Sequence, residues 1–346
     1  MIKGYAQELI FFAFSAAFVV VAFRPTWLEW RHPTDIDPLQ VPPNYSSDID
    51  YFSDQFKSAV TTRLSGNPSA IADGFDFARD NLDAVNWAQM HRPLICLTSA
   101  CLQGAVDSRT TLFVNGDFRT TLASRFSALF VKGGMSLAGG SEIREWAHAD
   151  GPVSMGEGCM APRRLSSASL LELAKDCCFE RLQAPVVRLG TTADQASDQR
   201  LKPLTEGRLS ALDGAIRQTD GLTLVRGNCK LPRFHRYHGS LIVTGRLSVG
   251  EGTEIFGDVK ARAGVVVGAR AWIHGALCSE HQVQLLERSR ALGPVMSESA
   301  ILLGPMVCLG EADAPTTVCA VNIMAEAGAV VHGTVWAREG GVVWAI

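Results

Sequence analysis

Between Gly221 and Trp336 the apolar positions return every 18 residues. Gly221, Gly239, Gly257, Gly275 and Gly293 mark the period, and after a four-residue slip at Glu311–Ala314 it resumes at Pro315 and Gly333. With the glycine as position 1, position 3 holds Thr223, Leu241, Val259, Leu277, Val295, Thr317 and Val335. Position 9 holds Cys229, Leu247, Val265, Val283, Ile301 and Ile323; position 11 holds Leu231, Val249, Val267, Leu285, Leu303 and Ala325. Position 17 runs Tyr237, Ile255, Ile273, Ala291, Leu309 and Val331. Positions 5 and 15 are small or branched: Val243, Ala261, Ser279, Ser297 and Cys319 at 5, and Thr253, Ala271, Ser289, Val307 and Ala329 at 15.

Inward positions 3 and 5, 9 and 11, 15 and 17 form three pairs. Alternation within a pair is the mark of a strand with one face buried. Three short strands per 18 residues describe a three-sided coil, and stacked coils put like side chains over like. The pattern predicts an all-β fold, a parallel triangular β-helix with 18 residues per coil. An antiparallel sandwich is the competing architecture, and a strict register over five glycines argues against it. Corners need tight turns, which accounts for Gly245, Gly250, Gly252, Gly264, Gly268 and Gly304.

Residues 70–190 repeat the ladder less regularly. Gly116, Gly133 and Gly151 stand 17 and 18 apart, and apolar pairs recur at Leu112/Val114, Leu129/Val131, Met135/Leu137, Val153/Met155, Leu171/Leu173 and Val187/Leu189. Residues 191–220 are polar and read as a loop inserted between two halves of one stack, 70–190 and 221–346. Residues 49–69 read as a capping helix: Phe52, Phe56, Val60 and Leu64 form one apolar stripe, with Ser47 or Asp48 as cap. A membrane-surface or partner helix is the competing reading of that stripe. Residues 32–48 are a linker rich in Pro, Asp and Ser.

The N-terminus changes the picture. Leu9–Phe23 is uncharged and bounded by Glu8 and Arg24, with Tyr5, Trp27 and Trp30 flanking it. We read residues 1–31 as a membrane anchor, with a transmembrane helix over about 6–28. A cleaved signal peptide would want a basic start and a small-x-small cleavage site, and bulky residues follow the run instead. Arg24 and Arg31 behind the segment favour an inner-membrane, single-pass protein with its bulk in the cytoplasm.

The chain has 346 residues, 19% of them charged, with a net charge of −3. No basic field exists to hold nucleic acid. Nine cysteines show no C-x-x-C and no zinc spacing, and Cys229 and Cys319 fall on inward positions, so the thiols read as reduced core residues.

Four stretches carry a resemblance: GDVKARAGVVVGARAWIHGAL (257–277), PTTVCAVNIMAEAGAVVHGTVWAREGG (315–341), FERLQAPVVRLG (179–190) and WAHADG (146–151). Over roughly residues 100 to 345 the chain resembles the polymer-forming, bactofilin-type cytoskeletal proteins of bacteria, in their larger membrane-anchored variety. The resemblance implies a right-handed β-helix that polymerises through its ends without nucleotide. It also implies a scaffold for cell-envelope or polysaccharide-secretion enzymes. This chain is about twice the length of a compact domain of that kind.

The enzymatic alternative is a left-handed β-helix acyltransferase of the hexapeptide type, which also has 18-residue coils and uses a histidine as base. His274, His281 and His332 are the candidates, with His274 and His332 both at position 18. His235 and His238 flank Tyr237, and Glu142 and Glu145 stand isolated. Large aliphatics at positions 3, 9 and 11 argue against hexapeptide packing. No P-loop and no G-x-S-x-G occurs. The expectation is a scaffold with no catalytic, cofactor or metal residue. Its partners would be the membrane, an envelope or polysaccharide-synthesis protein, and a second copy end to end. The self-association end is placed on the last coil at Val335, Trp336, Val343, Trp344 and Ile346, which is apolar and carries no charge after Glu339.

Overall fold

In the computed structural model the chain divides into two compact units, Met1–Ser47 and Asp48–Ile346. The structure describes residues 49–65, 74–78, 82–190, 203–219 and 221–344, with scattered residues between 11 and 31. In the first unit, described residues such as Phe11, Phe14, Phe18 and Phe23 are helical and exposed. No helix among the described residues is long and apolar enough to cross a membrane, and much of Leu9–Phe23 lies outside them.

The second unit is a parallel β-solenoid of about 14 turns. Its later half runs as read from the periodicity. Leu241 pairs with Val259, Val259 with Leu277 and Leu277 with Val295, each one coil on. Parallel stacks follow on the other two sides, as in Leu247, Val265 and Val283, and in Ile255 and Ile273. Every inward residue from 239 to 310 named above is buried. Burying one such Val or Leu contributes about 1.5–3 kcal/mol, and the repeat multiplies it.

Two inward assignments, Thr317 and Cys319, are off by a residue. Val295 pairs with Val318, not Thr317, and Val318 pairs with Val335. Thr316, Val318 and Ala320 are buried, whereas Thr317 is exposed and Cys319 half-buried. Past the Glu311–Ala314 slip the next coil is one residue short at this side, so reading backwards from Gly333 by 18 misplaces it.

The glycine column exists because coils crowd at that corner: a Cβ on Gly257 would strike the backbone of Gly239. The left-handed corner lies elsewhere, at position 14, where Phe234, Gly252, Arg270, Arg288, Met306 and Gly328 all have φ between 55° and 83°. A non-glycine residue there costs about 1–2 kcal/mol. Arg270→Gly should therefore raise the melting temperature and Arg270→Ile should lower it, since β-branching worsens the conformation. A thermal melt in which the two variants coincide would refute the corner assignment.

The first half is a second stack of the same kind, more regular than its sequence. Leu94, Leu112, Leu129, Ala147, Leu165 and Leu182 form one inward column. The second half also begins before Gly221. Ala215–Thr219 pairs antiparallel with Leu222–Val225, Thr205–Glu206 pairs with His235 and Arg236, and Leu209 is buried. These residues seal the open edge of a first coil, a task that needs no apolar alternation, so the predicted 191–220 loop shrinks to a connection whose residues 191–202 lie outside the described set.

The two halves meet at their last turns. Cys178–Leu189, the last strand of the first half, pairs antiparallel with Ala329–Trp344, the last of the second. Leu182 faces Val335 across this seam, so the inward column passes unbroken from one half into the other.

Helix Tyr51–Ser65 is not a cap on the first coil. Val60 is buried against Ile95, Phe113 and Phe130, which point outward from three consecutive turns, with Phe56 and Trp146 beside them. The helix lies lengthwise along a face of the first half. At about 1.5 Å per residue its length matches four or five rungs at ~4.8 Å. The open end is covered by the turns at Leu82–Ala84 and Trp87–Gln89: Leu82 is buried, and Val85, Trp87 and Met90 pack on the core.

Candidate functional site

The expected association end is already covered by the chain itself. Ala329–Trp344 has Thr316–Glu326 on one side and Cys178–Leu189 on the other. Val335 and Val343 are fully buried, and Val343 exchanges hydrogen bonds with the backbones of Asp176 and Cys177 at 2.8 and 2.9 Å. Trp336 is half-buried under the Arg181 guanidinium, 4.0 Å from the ring. Only Trp344 stays exposed, and Ile346 lies outside the described residues. The expected open edge at Val335, Trp336 and Val343 is thus corrected: it pairs in cis with Cys178–Leu189. Gly341 permits the join, because the Phe179 ring occupies the space its Cβ would take.

A cleft of about 580 Å³ opens beside the seam, lined in part by Met155, Glu172, Arg188, Met306, Val330 and His332. Its charges are matched locally. Arg188 donates to Glu172 at 2.8 Å, and His332 Nδ1 lies 3.2 Å from the Pro185 carbonyl.

The densest polar constellation sits under the helix. Buried His148 stacks on Phe130 and sets Nδ1 2.8 Å from Ser166 Oγ and 3.2 Å from Asp50 Oδ1. Its Nε2 lies 3.3 Å from Asp150, which also accepts from Lys57 Nζ at 2.9 Å. Gln183 donates to the other Asp50 oxygen at 3.3 Å. Ser166, His148 and Asp150 share the composition of a nucleophilic triad, but Ser166 is buried and Asp50 of the helix segment occupies the same ring nitrogen. The cluster is a clasp holding the helix segment to three successive turns.

Burial pushes the Asp50 carboxyl up, but hydrogen bonds from His148 and Ser166 and the imidazole's charge outweigh it and hold the group below its ordinary value. A depressed carboxylate stabilises docking above the ordinary carboxylate range and loses that contribution as pH falls through its lowered value. Protection of the Tyr51–Ser65 amides, corrected for intrinsic exchange, should hold above about pH 4 and fall below it. Asp50→Asn, which costs about 2 kcal/mol, should weaken protection already at neutral pH. Unaltered protection would show that Phe56, Val60 and the Lys57–Asp150 pair dock the helix without Asp50.

The sequence did not single out this clasp, though a signal existed. Leu94-Ile95-Cys96, Leu112-Phe113-Val114 and Leu129-Phe130-Val131 are apolar on both faces of their strands, which marks a covered outer face.

The candidate histidines do not converge. His274 stacks between Phe256 and Trp272, at 3.9 and 4.2 Å, and burial pushes its imidazole down. His238 stacks on the other face of Phe256 at 5.0 Å. His281 and His235 turn Nδ1 to backbone carbonyls, of Arg262 and Arg233. Tyr237 points inward and is buried. Glu142 pairs with Arg125 and Arg144, while Glu145 is exposed. Among the described residues no group of three or more His, Cys, Asp or Glu could hold a metal ion.

No family model, curated protein or solved structure matches the chain.

Proposed function

We propose that the chain is a membrane-anchored, noncatalytic β-helix scaffold of the bactofilin type, organising cell-envelope or polysaccharide-secretion enzymes from the cytoplasmic side of the inner membrane. The observation that carries this reading is the seam. It fuses two solenoid halves into one body of about 14 turns, whose faces present side chains at a ~4.8 Å repeat. Such a body can hold partners in fixed register. The resemblance over residues 100 to 345 supports the family, and the exposed helical Phe11, Phe12, Phe14, Phe18 and Phe23 support the anchor.

Because the last coil pairs in cis, end-to-end association belongs to the two outer ends. There, among the described residues, Asp76–Ala78 and Ala215–Thr219 each have one paired edge, with Phe77 and Ile216 exposed. Negative-stain images of the full chain in detergent should show rods of about 65 Å joined end to end. Single rods at high concentration would refute assembly. A full chain that fails to float with liposomes would refute the anchor. Saturable acetyl-coenzyme A binding, lost in His274→Ala, would establish the acyltransferase alternative instead.

A further inference from the structure

Cys159 and Cys177 occupy one inner corner on consecutive turns of the first half. Each follows a left-handed residue, Gly158 at φ 69° and Asp176 at φ 60°. The next residues are in register, Met160 with Cys178, and the Cys178 amide donates to the Cys159 carbonyl at 2.9 Å. Stacked rungs of a parallel ladder set Cα atoms ~4.8 Å apart, inside the ~4.4–6.8 Å that a disulfide spans. Both thiols are free and fully buried, and each reaches a backbone carbonyl on the neighbouring turn, Cys159 that of Ala138 at 3.2 Å and Cys177 that of Gly156 at 3.1 Å.

Packing does not require sulfur at this corner. Ser141 stands there one turn earlier, donating to the Ala138 carbonyl at 2.6 Å, and Cys159 reaches the same carbonyl at 3.2 Å. The position also matters to the seam, since the carbonyl of Cys177 accepts from Val343 at 2.9 Å.

We propose that Cys159 and Cys177 are a peroxide-oxidisable pair whose disulfide staples the last two turns of the first half at the seam. The Cys159 thiolate attacks one peroxide oxygen, the O–O bond breaks, and the departing hydroxide takes a proton to become water. The Cys177 sulfur then attacks the sulfenic sulfur. The S–O bond breaks, and the second water leaves with the Cys177 proton. Two thiols and one peroxide give one disulfide and two waters. The chemistry of the pair does not depend on the scaffold reading.

The test treats the full chain with hydrogen peroxide, blocks remaining thiols by alkylation in denaturant, and maps the peptides. The expected product is a Cys159–Cys177 linkage, lighter by two hydrogens and reversed by dithiothreitol. A bulky aromatic disulfide reagent should meanwhile label only exposed thiols such as Cys101 and Cys178. Cys159→Ser, which repeats the chemistry of Ser141, should fold like the reduced protein and leave Cys177 unlinked. Recovery of Cys159 and Cys177 both alkylated, oxidation of Cys159 without linkage, or a bond from Cys177 to Cys178 would overturn the proposal.

Discussion

Val267→Asp should unfold the second half of the solenoid, while Val266→Asp on the same strand should leave it standing. Val267 is fully buried between Val249 and Leu285, its partners on the adjoining turns. A carboxylate there has aliphatic neighbours above and below and no donor, so it must be buried uncompensated or carry its proton to neutral pH. The cost is about 4 kcal/mol or more, a large share of the ~5–15 kcal/mol that holds an ordinary domain. Parallel coils share their hydrogen bonds only with neighbours, so loss of one turn propagates to the turns on either side. Val266 points outward between Ser248 and Gln284, and its variant keeps the carboxylate in water. Circular dichroism at 37 °C and the thermal midpoints decide it. Comparable loss of β-signal in both variants would show that the inward register is wrong.

How much of this was legible follows from what side-chain alternation encodes. It states which side of a strand is buried, so Leu241, Val259, Leu277 and Val295 could be read directly as one column. It is blind to local length changes, so it points to Thr317 rather than Val318 where a coil is one residue short. It is equally blind to the direction of the covering strand. Val343 points inward whether its edge is open, paired with a second copy or paired with Cys178–Leu189, and the choice is made by contacts between residues 140 to 164 positions apart. The helix shows a similar limit. Phe52, Phe56 and Val60 announce an apolar stripe, but its partner face became visible only with Ile95, Phe113 and Phe130 stacked on successive turns. Phe52 itself remains exposed, under the Arg164 guanidinium.

The clasp and the seam have a common consequence. Asp50 reaches His148 and Gln183, and Gln183 pairs with Thr334 across the seam, so the helix segment begins where the two halves join. A perturbation of the seam should therefore be felt at the helix before it is felt at the outer turns.

Val343→Lys is expected to open the seam without dissolving either stack. The side chain is fully buried and in register with Ala325, and the flanking turn of the first half closes over it through Asp176 and Cys177. An ammonium group there has no carboxylate partner in the inward column, so docking must fail or the lysine must be neutral. The penalty of several kcal/mol falls on one interface, because Leu241–Leu285 and Leu94–Leu129 lie turns away. The expected record is a single thermal transition split into two. Hydrogen exchange should accelerate at residues 178–189 and 329–344, with weaker protection in Tyr51–Ser65. Sedimentation should show the oligomeric state of the full chain unchanged or raised, since two newly bared coil edges seek partners. If the variant instead lowered the oligomeric state and left exchange at 178–189 untouched, the last coil would pair between molecules, and the seam within one chain would be wrong.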